Sequence, residues 1–229
     1  MKAVVLSSGG LDSTTCLAIA VNKFGAPNVA ALSIFYGQRN AIELKAARDV
    51  AKFYKVTRYE LDAAEIFSHS KSAMLDTSTE SLDKGSYAAQ MSKNNSQQIS
   101  TYVPFRNGLM ISMAASFVYD LCEDTLDLYI GVHADDAAVA AYADCRADFV
   151  AAMSAAIRIG TYEKIRLIAP FICQEKADVV KVGLELGVPY ELTRSCYERS
   201  DKPCGVCATC IDRARAFELN GVEDPALKK

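Results

Sequence analysis

The sequence predicts a doubly wound α/β fold with a mostly parallel sheet and a small C-terminal zinc-binding region. Three observations support this prediction. Short apolar segments alternate with helical patterns along most of the 229 residues, which is typical of a parallel sheet covered on both faces. A Ser-Gly-Gly turn joins the first apolar segment to the first helical pattern. Cysteines crowd together near the C-terminus.

The first part of the chain is expected to supply three strands and two helices. Leu11–Phe24 has the composition of a helix, and the glycine that follows is suited to close it. The second helix carries Leu44, Ala47, Ala51 and Tyr54 on one apolar stripe. The predicted strands are Ala3–Leu6, 29–36 and 57–61.

The polar segment 64–100 shows little periodicity and predicts a mobile, partly ordered insertion rather than a linker. Regular patterns return after it. They predict strands over 126–132 and 165–169, and helices over 105–121, 149–159 and 176–186. The apolar stripe of the first of these helices consists of Met110, Met113, Ala114, Phe117 and Leu121. We therefore expect a nucleotide-binding domain over 1–190 and a zinc-binding region over 191–229.

The charge balance excludes some classes of partner. The chain has 25 basic and 28 acidic residues, a net charge of -3, which does not favour nucleic acid or an anionic membrane. No apolar segment approaches the roughly 18 residues that a membrane span needs. We expect a cytoplasmic enzyme that binds neither nucleic acid nor membrane.

The polar motifs follow the predicted strands, as binding residues do in parallel sheets. SSGGLDS follows the first strand, YGQRN the second and VHADD the fourth, so one cleft is expected. The segment 7–15 leaves the first N–H groups of a helix facing an anion, and phosphate is the usual ligand. It lacks the lysine of a Walker A loop and the G-x-G-x-x-G spacing of a dinucleotide loop. A plain turn with Asp12 or Ser13 as the helix cap remains the structural alternative.

The C-terminal cysteines predict a metal site. Cys204, Cys207 and Cys210 form C-x-x-C-x-x-C, and Cys196 precedes them. Four thiolates suit a structural Zn2+ ion with no open position. An iron–sulfur cluster is the competing metal, and four unrelated buried cysteines are the alternative without a metal.

Further candidates have weaker support. Arg106 and Asn107 are expected to meet phosphate or the base, and Lys176 to reach a phosphate, with a solvated charge as the alternative for each. His133 is interpreted as a structural packing residue, and Cys145 as a packing or substrate-contact residue. The residues expected to bind a guanine-like ring, with a helix cap as the alternative for the aspartates, are Asp135, Asp136, Asp144 and Arg146.

The motifs together resemble a known family. SGGLDS is similar to the SGGxDS pyrophosphate loop of the PP-loop ATP pyrophosphatases, which share an adenine nucleotide alpha hydrolase-like fold. Together with VPFRN, HADD, DCR and the cysteine cluster, it resembles the 7-cyano-7-deazaguanine synthases of queuosine biosynthesis over nearly the whole chain. Where that family usually has glycine and proline, this chain has Val139 and Ala143. These departures concern the placement of the substrate.

The resemblance implies an ATP-dependent ligase that converts 7-carboxy-7-deazaguanine and free ammonia to a nitrile, with Mg2+ accompanying ATP and a homodimeric assembly. Asp12, Ser13 and Lys176 would be catalytic, and Asp12 would help to hold Mg2+ or position the loop. The expected ATP-binding residues are Ser7, Ser8, Gly9, Gly10, Leu11, Asp12, Ser13, Thr14 and Thr15.

Other functions stay open at this point. Another PP-loop activity, such as an ammonia-dependent amide ligase or a tRNA-thiolation enzyme, is the alternative among enzymes. A zinc-dependent binding module without catalysis is the alternative outside them. The intact SGGLDS loop and the balanced charge near the cysteines argue against such a module.

Overall fold

A computed structural model describes residues 1–40, 42–94, 98–137, 141–200 and 202–227. Within these ranges, five parallel strands form one sheet in the order β3-β2-β1-β4-β5. The doubly wound α/β prediction is confirmed. The strands are β1 (Ala3–Leu6), β2 (Val29–Phe35), β3 (Thr57–Asp62), β4 (Leu126–Tyr129) and β5 (Ile165–Ile168).

Helices cover both faces of the sheet. Each predicted helix is present within a few residues of its expected bounds, and α3, α5 and α8 are additions to the prediction. The helices are α1 (Leu11–Phe24), α2 (Ile42–Tyr54), α3 (Tyr87–Asn94), α4 (Arg106–Val118), α5 (Ala134–Ala137), α6 (Ala147–Gly160), α7 (Lys176–Glu185) and α8 (Ala208–Leu219).

The central strand β1 divides the core into two layers. Val4 pairs with Ala30 and Leu128 in register and packs in the cluster that contains apolar residues of α4 and α6. Its neighbour Val5 points to the opposite face, as the pleat of a strand requires, and packs with residues of α1, α7 and α8. The short apolar strands are therefore buried on both sides, which explains why they do not alternate in sequence.

The buried stripe of α4 differs from the predicted one. The buried residues of this helix are Gly108, Ile111, Ala114, Ala115 and Val118. Met110, Met113 and Phe117 are only half-buried and pack at the edge of the core. Ala114 is the residue common to the predicted and the observed stripe. The prediction followed the largest apolar side chains, whereas the buried face of the helix also contains glycine and alanine.

Several apolar residues of the segment 64–100 belong to the core, although most of its described residues are exposed or half-buried. The buried residues there include Phe67, Met74, Leu75, Tyr87 and Ile99, and α3 lies within the segment. Residues 95–97 lie outside the described residues. Mobility of the segment stays a prediction, but its two ends are held by apolar contacts.

The C-terminal region docks on the sheet domain. Phe217 of α8 makes an edge-to-face contact with Tyr190 at a centroid distance of 5.2 Å, and both are buried in the core layer of α1 and α7. A buried ion pair of Arg213 Nε and Asp224 Oδ2, 2.6 Å long, ties the end of the region to α8. The proposed division at residue 190 thus separates two parts that share a core.

None of the helices within the described ranges is both long and apolar enough to cross a membrane.

Candidate active site and metal centre

The carboxyl ends of β1 and β4 lie side by side at the centre of the sheet. The chain leaves β1 through α1 on one face and reaches β5 from β4 through α6 on the other. This reversal opens a crevice, which is where doubly wound sheets bind ligands. A cavity of about 240 Å³ lies there and is lined by residues of the loops after β1, β2 and β4. The structure therefore brings the three polar motifs of the sequence to one place.

Two serines fix the shape of the loop after β1. The backbone N–H of Ser8 donates to Ser13 Oγ at 3.3 Å, and the two hydroxyl oxygens are 3.1 Å apart. The N–H of Gly10 donates to Ser8 Oγ at 3.2 Å. Gly10 is the residue before α1 and provides no side-chain cap. The first N–H groups of this helix are therefore left for a ligand. The loop is preformed for an anion.

Glycine is required at position 9 for a reason that the sequence did not reveal. Gly9 has a φ of +79°, and a Cβ there would lie 2.5 Å from the backbone nitrogen of Ala47 in α2. The missing side chain at position 9 therefore leaves room for the backbone of α2 rather than for a phosphate group. Gly131 plays a similar part, because a Cβ there would lie 2.8 Å from the backbone nitrogen of Ser13.

The structure brings most of the predicted site residues to the cavity. Those in its lining are Ser7, Ser8, Gly10, Asp12, Ser13, Arg106, Asn107, Asp136 and Lys176. They come from the first loop, the start of α4, the α5 turn and the start of α7.

Three residues of the predicted ATP loop point away from the cavity. Leu11 is buried in the core, the hydroxyl of Thr14 donates to the carbonyl of Gly10 at 2.7 Å, and Thr15 Oγ1 is 2.9 Å from the hydroxyl of Tyr190. Successive residues of a helix face in different directions. These three side chains therefore point away from the cavity, and their contacts hold α1 in place.

Three predicted ring-binding residues also have other partners. Asp135 accepts a hydrogen bond from the backbone N–H of Lys176 at 2.9 Å, and Asp144 accepts one from the N–H of Asn107 at 2.9 Å. Arg146 does not line the cavity, because its guanidinium pairs with Asp148 on the surface at 2.7 Å. Ala143 lies in a turn beside this group, and Val139 lies outside the described residues.

Lys176 is a buried cation surrounded by carboxylates. Its Nζ lies 3.7 Å from Asp12 Oδ2, and the side chain is 6% exposed. Burial lowers the pKa of this ammonium group, but Asp12 and Asp136 outweigh that effect and the pKa is raised overall. Lys176 is therefore charged when the cavity is empty, beside the loop that is expected to bind phosphate.

His133 lies between two carboxylates at the end of β4. Its Nε2 is 3.5 Å from Asp12 Oδ1 and 3.4 Å from Asp136 Oδ2. The ring is 1% exposed, and neither nitrogen has a hydrogen-bond partner within the described part of the chain. Burial raises the pKa of Asp136, while His133 and Lys176 oppose that change. The interpretation of His133 as a packing residue missed this contact with two cavity carboxylates.

The loop after β2 supplies a second wall. The guanidinium of Arg106 lies 5.1 Å from the ring centre of Tyr36 and donates to its hydroxyl at 3.1 Å. Burial raises the pKa of Glu43 in α2 to about 7, although Arg106 and Arg194 oppose this change. The motif YGQRN pointed to Tyr36, whereas nothing in the sequence distinguished Glu43 from other helical glutamates.

Three tyrosines form a third wall that the sequence did not predict. The hydroxyl of Tyr197 lies 2.8 Å from that of Tyr87 and 3.1 Å from that of Tyr142. Burial raises the pKa of all three phenols, so they are neutral. They come from three distant segments, and only the fold brings them together.

The four C-terminal cysteines form a candidate metal centre. Their sulfur atoms all lie within 4.8 Å of one another, close to the ~3.8 Å sulfur separation of a tetrahedral zinc site. Backbone N–H groups of Glu198 and Cys204 donate to Cys196 Sγ at 3.4 and 3.3 Å, as suits a thiolate. The pKa of Cys207 is lowered, mainly by Cys196 and Cys210. The cluster is chemically suited to hold a metal cation.

The segment that carries the four cysteines also borders the cavity. The backbone N–H of Arg194 donates to the carbonyl of Gly9 at 2.9 Å, and Arg194, Ser195, Tyr197 and Thr209 belong to the cavity lining. The cysteine loop is therefore joined to the phosphate loop by a direct backbone hydrogen bond.

The parallel sheet, the serine-rich loop at its switch point and the adjoining cavity define a doubly wound α/β protein with a ligand-binding crevice. The model of the family "Queuosine biosynthesis protein QueC" matches residues 2–221. The chain belongs to this family.

Curated relatives agree with this assignment, and a solved structure shares the fold. A 7-cyano-7-deazaguanine synthase of Archaeoglobus fulgidus is 39% identical over 99% of this chain and 90% of its own. One of Koribacter versatilis is 40% identical over 98% of this chain and 92% of its own. The U34-tRNA thiolase NcsA from Methanococcus maripaludis, solved with its 4Fe–4S cluster, has a TM-score of 0.52 at 15% identity. That match covers 96% of this chain and 67% of the thiolase, and it shows a shared fold.

Proposed function

We propose that the chain is an ATP-dependent ligase that converts 7-carboxy-7-deazaguanine and ammonia to 7-cyano-7-deazaguanine, in the biosynthesis of queuosine. The observation that carries this proposal is the near-complete coverage of relatives that bear the name of this activity. The cavity supports it, since one wall is a phosphate loop and the others are aromatic, amide and carboxylate groups suited to a polar ring.

The first step makes the acid reactive. A carboxylate oxygen of the substrate attacks the α-phosphorus of ATP, the bond to the β-phosphate oxygen breaks, and pyrophosphate leaves. The preformed N–H groups at the start of α1, the hydroxyls of Ser8 and Ser13, and the ammonium of Lys176 stabilise the departing charge. These groups act mainly by position and charge, because they need no rearrangement during the reaction.

Nitrogen enters in the second step. Ammonia forms a C–N bond at the acyl carbon, the C–O bond to AMP breaks, and one proton leaves the nitrogen. A second ATP then adenylates the oxygen of the resulting amide and again releases pyrophosphate. Departure of AMP with that oxygen, together with loss of the two nitrogen protons, leaves the nitrile.

Metal ions have separate parts in this proposal. Mg2+ bound with ATP supplies charge neutralisation of the phosphates, and Asp12 is the loop carboxylate that would contribute to holding it. The four cysteines would hold Zn2+, which leaves no open position and therefore has a structural role. We further propose a homodimer in the cytoplasm, in keeping with the family resemblance.

Chemistry at the cavity argues against a sulfur-transfer enzyme. Cys145 is the cysteine found in the described cavity lining. Burial raises its pKa well above the ordinary value, so its thiol is a weak nucleophile. The C-terminal cysteines have a metal site as their more fitting role.

The test is incubation of the protein with 7-carboxy-7-deazaguanine, ATP, Mg2+ and ammonium, followed by mass spectrometry. We expect the nitrile, with release of pyrophosphate and AMP. Ser13→Ala, which removes the hydroxyl that orders the loop, should lower pyrophosphate release about 100-fold. Ser112→Ala, which removes a hydroxyl bonded only within α4, serves as the control. Absence of the nitrile with the wild-type protein would refute the proposed function.

A further inference from the structure

Three acidic side chains line the described part of the cavity, namely Asp12, Glu43 and Asp136. Two of them lie next to a basic side chain or an imidazole. Asp12 Oδ2 is 3.7 Å from Lys176 Nζ, and Asp136 Oδ2 is 3.4 Å from His133 Nε2. Glu43 has no place in the reaction steps proposed above, although its carboxylate faces the same cavity.

The carboxylate of Glu43 has positive charges nearby but accepts no hydrogen bond from them. Arg106 donates to the hydroxyl of Tyr36 at 3.1 Å. Arg194 donates to the carbonyl of Glu198 at 3.2 Å. Within the described part of the chain, burial and these two guanidinium charges act on the pKa of Glu43, and no hydrogen bond does. A carboxylate that loses water without gaining donors is costly, so a ligand with N–H groups would stabilise it.

The surroundings of Glu43 suit a flat ring. The guanidinium of Arg106 and the ring of Tyr36 lie 5.1 Å apart, and Met110 adds apolar surface to the same cavity. Planar aromatic and guanidinium groups are common stacking partners of flat rings. The first turn of α2 also rests on the phosphate loop, because a Cβ on Gly9 would lie 2.5 Å from the backbone carbonyl oxygen of Glu43. Glu43 is therefore held at a fixed place beside that loop.

We propose that Glu43 recognises the guanine-like ring of the acid by accepting hydrogen bonds from the ring N1–H and the 2-amino group. This inference rests on the proposed function, in which the substrate is 7-carboxy-7-deazaguanine. The two donors are adjacent on the six-membered ring, so one carboxylate binds both of them. Adenine has an acceptor nitrogen beside its amino group, and that nitrogen repels a carboxylate. Glu43 thus separates the acid from the adenine ring of ATP.

The same contact orients the acid for reaction. Its carboxyl group is on the five-membered ring, at the other end of the molecule from the 2-amino group. Like charge also keeps this carboxylate away from Glu43. With the N–H edge bound at Glu43, the carboxyl group is free to approach the phosphate loop and the ammonium of Lys176, which lines the same cavity.

Equilibrium binding tests the contact without turnover. The acid, and its analogue that lacks the 2-amino group, are each titrated calorimetrically into the protein with Mg2+ and α,β-methylene-ATP. In the wild type, loss of the amino group should raise the Kd about 10- to 100-fold, because it removes a hydrogen bond to a charged group. Glu43→Gln should bind the acid about 10- to 100-fold more weakly. In this variant, loss of the amino group should raise the Kd less than about 3-fold.

Two further variants complete the comparison. Glu65→Gln, at an exposed site outside the cavity lining, is the matched control and should keep both wild-type Kd values. Asp136→Asn changes the rival carboxylate and should keep the discrimination between the two compounds. Equal discrimination in Glu43→Gln and the wild type would overturn the inference, and so would its loss in Asp136→Asn alone.

The outcome for the wild type separates this inference from the proposed function. Wild-type protein that discriminates through Glu43 but forms no nitrile would refute the function and uphold the ring contact. Nitrile formation together with unchanged discrimination in Glu43→Gln would uphold the function and refute the contact. If the wild type binds neither compound, both proposals fail.

Discussion

Individual residues in the loop after β1 have structural roles that cannot be predicted from their residue types alone. Gly9 was expected to bind ATP, yet the space of its missing side chain is taken by the backbone of α2. The hydroxyls of Ser8 and Ser13 bond to each other and to the loop backbone. The loop is thus held from two sides before any ligand arrives, which reduces the ordering that binding must cause.

A comparison of two glycine variants tests the role of Gly9 in packing against α2. Gly9 and Gly187 both have positive φ, but a Cβ on Gly187 meets open space. Gly187→Ala should lower the free energy of unfolding by about 1–2 kcal/mol, the cost of the backbone conformation alone. Gly9→Ala should lower it by about 3–5 kcal/mol, because the clash with α2 is added. Urea denaturation of the two variants measures the difference, and equal losses would show that α2 yields to the new methyl group.

At the scale of elements, the structure separates what the sequence can predict from what it cannot. The strands, α1 and the phosphate loop follow from contiguous patterns, because a strand, a turn and a helix cap are local. The cysteine cluster was also predictable, since its ligands lie close together in sequence. The walls of Glu43, Tyr87 and Tyr197 could not be predicted, because only packing of distant segments brings them to one cavity.

The cysteine loop could hold a metal ion, and we propose that its integrity depends on that ion. We expect about one Zn2+ per chain by elemental analysis. Cys207→Ser should lose the metal and lower the melting temperature by several degrees, because three thiols in close proximity then lack a cation. Cys173→Ser, at an exposed cysteine outside the cluster, should keep both. A metal-free Cys207→Ser protein that melts like the wild type would contradict the structural role.

At the scale of the whole molecule, burial of charged groups in the cavity makes stability depend on pH. Glu43 has a pKa of about 7 in the folded protein, raised by burial, and about 4.3 when unfolded. Between these values the folded state binds more protons than the unfolded state, so its stability falls as pH rises. Ionised Glu43 in the cavity therefore makes the folded state less stable above pH 7 than at acidic pH.

Replacement of that carboxylate should remove this dependence. At pH 4, below both pKa values, Glu43→Gln and the wild type should unfold with similar free energies. At pH 8 the variant should be more stable by roughly 3–4 kcal/mol, since about 2.7 pKa units separate the folded from the unfolded carboxyl group and each unit corresponds to about 1.4 kcal/mol. Urea denaturation at both pH values measures the effect. Glu65→Gln, at an exposed site, should show no gain, and the same absence in Glu43→Gln would disprove the assigned cause.

The hydrogen bond from Arg194 to Gly9 joins residues from opposite ends of the sequence. During translation the serine-rich turn leaves the ribosome early, whereas Arg194, Tyr197 and Thr209 emerge late. A nascent chain of the first 190 residues already has all five strands but lacks one side of its binding cavity. The complete cavity can therefore form only near the end of synthesis, after the sheet can form.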